Sequence, residues 1–176
     1  MLTVFISICQ ADSDAIRRSV LKLTADHSGH FFKKGENTPF TGKDTAYYAN
    51  GLEFEQKTYV DGMLLKEFSW DKQGRKKTVK LFTPNGGLKD YIIWYTNGQK
   101  QFEEFFSDDR KTGVIAGWNG QGNLLFEKHI ANGLLNGAMT EWYDNGQKML
   151  QQNRVNGKQI GHIMRWDKAG NRLPDK

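Results

Sequence analysis

Six glycines fall at a nearly constant spacing along this chain. They are Gly51, Gly74, Gly98, Gly122, Gly146 and Gly170, separated by 23, 24, 24, 24 and 24 residues. Four positions before each stands an aromatic residue: Tyr47, Trp70, Trp94, Trp118, Trp142 and Trp166, so all five tryptophans occupy one position of the repeat. Gly113, Gly137 and Gly161 form a second series of the same period, and Gly42 continues it upstream. A period of this length means that each unit is one supersecondary element, burying its apolar surface only by stacking on its neighbours.

The unit reads as a β-hairpin. Asn50-Gly51, Asn97-Gly98 and Asn145-Gly146 are the dipeptides that two-residue type I′ turns favour, because both central residues need positive φ. Gln73-Gly74, Gln121-Gly122 and Ala169-Gly170 keep the glycine alone. A second turn per unit is marked by Asp61-Gly62, Asn85-Gly86, Asn132-Gly133 and Asn156-Gly157. Two turns in one period leave two strands of about six to eight residues. The expected fold is all-β: an antiparallel meander or solenoid of about six hairpins over 31–176.

Strand alternation places Trp94 and Ile92 on one face, and Tyr91, Ile93 and Tyr95 on the other. Trp142 likewise shares a face with Ala138 and Thr140, opposite Met139, Glu141 and Tyr143. The tryptophans thus form a stripe that holds repeats together, with Phe54, Leu125 and Met149 falling between them if the turns are two-residue. The second face carries Phe102, Phe126, Tyr95 and Tyr143.

The unit Trp-Tyr-x-Asn-Gly-Gln-Lys at Trp94–Lys100 and Trp142–Lys148 resembles the variant MORN repeat of the bacterial YwqK-type antitoxin family. The opening Phe31-Phe32-Lys33-Lys34-Gly35, with Pro39-Phe40-Thr41-Gly42 and Tyr47-Tyr48-Ala49-Asn50-Gly51, resembles that family's first repeat. The units at Trp70-Asp71 and Trp118-Asn119 depart from it by lacking the tyrosine. The resemblance implies an antitoxin or immunity protein that binds a cognate toxin or effector without catalysis. Such a protein acts by occlusion, and binding energy concentrates in aromatic anchors with a charged rim. The candidate anchors are Tyr91, Tyr95, Phe102, Phe126 and Tyr143. Arg75, Lys76, Lys77 and Lys100 are the candidate steering cations for an acidic partner. Contact of the Arg75 hairpin with anionic lipid is the alternative partner reading.

Residues Leu2–Cys9 are apolar and uncharged, and Gln10-Ala11 precede the polar Asp12. The stretch reads as the remnant of a secretory signal over 1–11, with a mature chain starting near Asp12 and a periplasmic location. Lipidation at Cys9 ranks second. An N-terminal segment follows over 12–30, where Ile16, Val20 and Leu23 have helical spacing and predict a short helix over Ala15–Leu23.

Composition excludes several classes. One cysteine among 176 residues rules out a disulfide framework and every cysteine-based zinc motif. The net charge of +5, with 20 acids among 25 bases, does not call for nucleic acid as a partner. His27-Ser28-Gly29-His30 with Asp26 could approach a metal, but turn histidines explain it better, and no metal or cofactor is expected. His129 and His162 stand alone, and no serine or cysteine has an evident base. Gly117, Gly120 and Gly122 belong to a repeat turn and not to a dinucleotide fingerprint.

Overall fold

All six repeat glycines sit at hairpin tips with φ between +77° and +87°. The computed structural model describes residues 21–175, which contain no helix. Two short strands, β1 (Leu23–Ala25) and β2 (Phe31–Lys33), form a hairpin of their own. Then come β3 (Gly42–Tyr47), β4 (Glu53–Val60), β5 (Met63–Trp70), β6 (Lys76–Phe82), β7 (Leu88–Trp94) and β8 (Lys100–Phe106). The chain continues as β9 (Gly113–Trp118), β10 (Leu124–Ala131), β11 (Leu134–Leu135), β12 (Gly137–Trp142), β13 (Lys148–Val155) and β14 (Lys158–Arg165). Strands β3 to β14 make one 12-stranded antiparallel sheet in sequence order, with the two-residue β11 pairing β10 off the main path. The repeat therefore folds as a hairpin meander.

The expected type I′ turns occur, but at the opposite rim. Positive φ at both central residues is found at Asp61-Gly62 (48°, 79°), Asn132-Gly133 (53°, 73°) and Asn156-Gly157 (49°, 79°). At Asn145-Gly146 only the glycine is left-handed. There Tyr143 N–H donates to Gln147 O at 2.8 Å and Gly146 N–H to Tyr143 O at 2.9 Å. That is the pattern of a three-residue loop closed by a left-handed glycine. The tips at Gln73-Gly74, Gln121-Gly122 and Ala169-Gly170 close with the same backbone bonds, so the loop type belongs to the repeat, and the asparagine side chain adds to it. Asn145 Oδ1 accepts from Gln147 N at 3.1 Å while its Nδ2 donates to the Lys168 carbonyl at 2.8 Å. Asn50 and Asn97 do the same, toward Lys72 and Gly120.

The longer loop changes the register beside the tryptophans. Trp70, Trp94 and Trp142 face Lys76, Lys100 and Lys148, and Trp118 faces Leu124. Phe54, Lys77, Gln101, Leu125 and Met149 are the extra residues of five equivalent bulges. Phe54, Leu125 and Met149 are therefore not the tryptophans' cross-strand partners.

The beginning of the sheet is capped by the N-terminal hairpin. Phe31 N–H donates to Gly62 O, and Gly62 N–H to Phe40 O, at 2.8 and 2.9 Å. The rings of Phe31 and Phe40 close on Tyr59, at 5.0 and 5.6 Å, leaving it 3% exposed. This hairpin straddles the expected boundary at residue 31. Of the expected helix over Ala15–Leu23, residues 15–20 lie outside the described residues, and Leu23 opens β1 instead. The expected signal remnant over 1–11 also lies outside the described residues.

A sheet this wide with one layer cannot make a deep core. No large side chain of the described residues is fully buried, and the buried apolar residues are Phe40, Ala46, Tyr48, Tyr59 and Ala116. All five tryptophans are half-buried. Two glycines serve packing instead of turns: the rings of Phe126 and Phe106 lie where a Cβ on Gly117 and Gly113 would be.

Candidate binding surface

The strand registers resolve one face into two long rows. The first runs Ala46, Glu55, Ser69, Thr78, Ile93, Phe102, Gly117, Phe126, Glu141, Leu150 and Arg165, directly opposite one another from strand to strand. The second, two residues further from the loops, runs Asp44, Lys57, Glu67, Lys80, Tyr91, Glu104, Ile115 and Lys128. Its charges alternate in sign over β3 to β6, the cross-strand arrangement that favours pairing.

These rows divide the face. Over β4 to β6, Lys57 Nζ lies 2.7 Å from Glu55 and 3.8 Å from Glu67, and Lys80 Nζ lies 2.6 Å from Glu67. Burial alone would lower the Lys80 pKa, but the hydrogen bond and charge of Glu67 outweigh it and raise it. Beyond Lys80, which sits 5.9 Å from the Tyr91 ring centre, the ladder gives way to rings. Tyr91 and Phe102 are 6.2 Å apart and Phe102 and Phe126 6.5 Å, with Lys128 over Phe126 at 5.2 Å.

The rings line a trough of about 1010 Å³. Its floor carries Tyr91, Ile93, Phe102, Gly117 and Phe126, while Arg75, Lys77 and Tyr95 stand toward the loops. Glu104 also lines it, with a carboxyl raised by burial against the opposing charge of Arg110. Arg110 is itself in the left-handed region (φ 55°), its guanidinium 4.3 Å from the Phe106 ring and its Nη1 buried without a hydrogen-bond partner.

Six of the nine expected partner-binding residues are thus brought together: Tyr91, Tyr95, Phe102, Phe126, Arg75 and Lys77. Tyr95 has a structural use as well, since its phenol donates to the Trp118 carbonyl at 3.0 Å. Tyr143 is outside the trough lining and makes the equivalent bond to the Trp166 carbonyl at 2.9 Å. Arg75 folds back on its own turn, with Nε 2.7 Å from Asp71 Oδ2. Burial alone would raise the Asp71 carboxyl, but the hydrogen bonds from Arg75 and Gln73 and the Arg75 charge together outweigh it and hold it below the usual range. Lys76 is exposed opposite Trp70 and outside the trough lining. Lys100 is paired to Glu103 and lies over Trp118 at 5.5 Å.

Glu104, Ile93 and the Lys57–Glu67–Lys80 ladder were not expected from sequence. Their only signal is charge and apolar alternation, and it becomes readable once the five bulges fix which residues oppose which. Among the described residues no group of three or more His, Cys, Asp or Glu is placed to hold a metal ion. Asp26 Oδ1 accepts from the backbone N–H of Ser28 and of His30, both at 2.9 Å, as a turn cap does. No helix of the described residues is long and apolar enough to cross a membrane.

No family model matches the chain, and no curated protein matches it. Among solved structures it is similar to a GtfA/B complex bound to UDP and GlcNAc, at 19% identity and a TM-score of 0.33. The match covers 64% of this chain and 24% of that one, so the chain spans about a quarter of the solved chain it matches. Similarity that distant fixes neither fold nor activity.

Proposed function

We propose that this chain is a non-catalytic binding protein of the antitoxin or immunity type, exported to the periplasm, which neutralises a toxin or effector by covering it. One observation carries the reading: a row of half-buried rings, Tyr91, Phe102 and Phe126, lines an open trough on one face of a single-layer sheet. Such a face satisfies the requirements of an interface core, since aromatic anchors in a desolvated recess supply most of the binding energy. The repeat resemblance at Trp94–Lys100 and Trp142–Lys148 and the apolar N-terminal stretch support the same reading.

The test pairs the purified protein with the product of the gene encoded beside its own, which the reading requires to be toxin-like. A complex should form, and Tyr91→Ala with Phe102→Ala should weaken it at least tenfold while the melting temperature stays within a few degrees. Absence of a complex, or a complex indifferent to both substitutions, would overturn the reading.

A further inference from the structure

The trough is electrically asymmetric, and the asymmetry comes from how its two ends are built. At the loop end Lys77 is a bulge residue, half-buried on the wall, and no carboxylate of the described residues lies within ion-pair distance of it. Beside it, Arg75 pairs its Nε with Asp71, whose side chain is 15% exposed, while 48% of the Arg75 side chain is open and its guanidinium has further N–H donors for an incoming carboxylate. At the other end stands Glu104, half-buried between Tyr91 and Ile115, with no hydrogen bond or ion pair from another described residue.

The loops above the trough differ from their neighbours in a way that leaves this end open. Between the fourth and fifth hairpins, Asn119 and Asn123 both donate side-chain amides to the Asp144 carbonyl, at 3.0 and 2.7 Å. The corresponding residues between the second and third hairpins are Asp71 and Arg75. A carboxylate cannot donate, and Arg75 turns back to meet it. The amide staple is replaced by a mouth lined by Asp71 together with Lys72, Arg75 and Lys77, three cations to one carboxylate.

Along the strands Lys77 and Glu104 are three residues apart in register, about 10 Å, and they are two strands apart, again about 10 Å. Between them lie Ile93 and Phe102, cross-strand neighbours in the first row of the floor. We propose that the trough takes an extended segment of the partner protein that seats an apolar side chain on Phe102 and Ile93, with an acidic residue directed to Lys77 and Arg75 and a hydrogen-bond donor directed to Glu104. This rests on the binding reading above and names the chemistry of its occupant. The arrangement reads polarity as well as shape: reversing the segment sets its carboxylate against Glu104, a like-charge contact that disfavours the wrong orientation.

The experiment uses the full chain and two synthetic peptides, acetyl-Ser-Leu-Phe-Asp-Asp-amide and its neutral analogue acetyl-Ser-Leu-Phe-Asn-Asn-amide. Trp94 and Trp118 line the trough, so their fluorescence reports occupancy. The acidic peptide should bind at least tenfold tighter than the neutral one at low salt, and the preference should shrink as salt rises. Lys77→Gln should weaken the acidic peptide more than the neutral one and so reduce the preference. Phe102→Ala should weaken both peptides, with the far-ultraviolet spectrum of the fold retained. Equal binding of the two peptides, or binding of neither up to millimolar concentration, would overturn the proposal. So would binding of phosphatidylglycerol vesicles in place of either peptide, which would reassign the cations to a membrane. Toxin binding that depends on Phe102 without any acid preference would sink this inference alone. Peptide discrimination without a toxin complex would sink the antitoxin reading alone.

Discussion

The phenol of Tyr95 donates to the carbonyl of Trp118, 23 residues ahead in the next hairpin, at 3.0 Å. Tyr48 and Tyr143 make the same bond to Trp70 and Trp166, at 2.7 and 2.9 Å. In the hairpins between, the tyrosine is replaced by Asp71, Asn119 and Asp167, whose Oδ1 atoms accept two backbone N–H bonds within their own turns. Two loop types therefore alternate, one reaching forward through a tyrosine phenol and one capped by its own Oδ1, of which the Asn119 loop also reaches forward through its amides.

Tyr95→Phe removes a half-buried hydrogen bond and leaves the ring in place. The expected cost is about 1 kcal/mol, or a drop of roughly 2–4 °C in melting temperature for a chain of this size. Asp71→Asn with Arg75→Asn should do the reverse, letting side-chain amides reach the Thr96 carbonyl as Asn119 and Asn123 reach that of Asp144. Urea midpoints check both, and a double variant less stable than the parent would count against the staple.

Two glycines should fail for different reasons. Gly146 has φ +83° and open space around it, so Gly146→Ala should cost about 1–2 kcal/mol from backbone strain alone, and Gly146→Val should cost more. Gly117 is not at positive φ, yet Phe126 fills the space a Cβ needs. Gly117→Ala should therefore be rescued in part by Phe126→Leu, whereas no substitution of a neighbour should rescue Gly146→Ala. Thermal melts of the four variants decide it.

Tyr59 should titrate well above an ordinary tyrosine. Burial chiefly, then the charges of Asp44, Glu55 and Glu67, push its hydroxyl up from about 10 to about 12. A pKa raised in the folded state gives stability that is whole below about pH 10 and is lost as pH climbs toward 12. Alkaline titration followed at 295 nm should show a late component that is absent in Tyr59→Phe, and that variant should lose less stability between pH 10 and 12. A Tyr59→Phe curve superimposable on the parent would refute the assignment.

Glu67 stands between Lys57 and Lys80 at the centre of the charge ladder. Glu67→Gln should lower the Lys80 pKa and cost under about 1 kcal/mol, because both lysines keep contact with solvent. Nuclear magnetic resonance titration of the lysine ammonium groups measures the first, and denaturant unfolding the second.

The hairpin positions and the two faces were legible in the sequence because glycine, asparagine and tryptophan repeat at fixed spacing and strand alternation does the rest. The turn geometry was not. Asn-Gly favours type I′ as an isolated dipeptide, but all six tips, those without asparagine included, close as the longer three-residue loop. One loop residue more at each tip moved Lys77 and Gln101 into bulges and brought Thr78 and Phe102 into line with Ile93. Recognising Tyr91, Phe102 and Phe126 as neighbours required only alternation, since they lie on one face of successive strands. Placing Glu104 and Lys77 at opposite ends of the same recess required the register.

Every strand of the large sheet pairs with its neighbours in the chain, except that β10 pairs both the two-residue β11 and β12, and none waits for a distant segment. A ribosome delivering this protein therefore releases each strand beside a finished template, and the growing edge advances one hairpin at a time. Injury is confined in the same way: a cut or a lesion in one loop disturbs the ladders it joins and leaves the remainder able to stand.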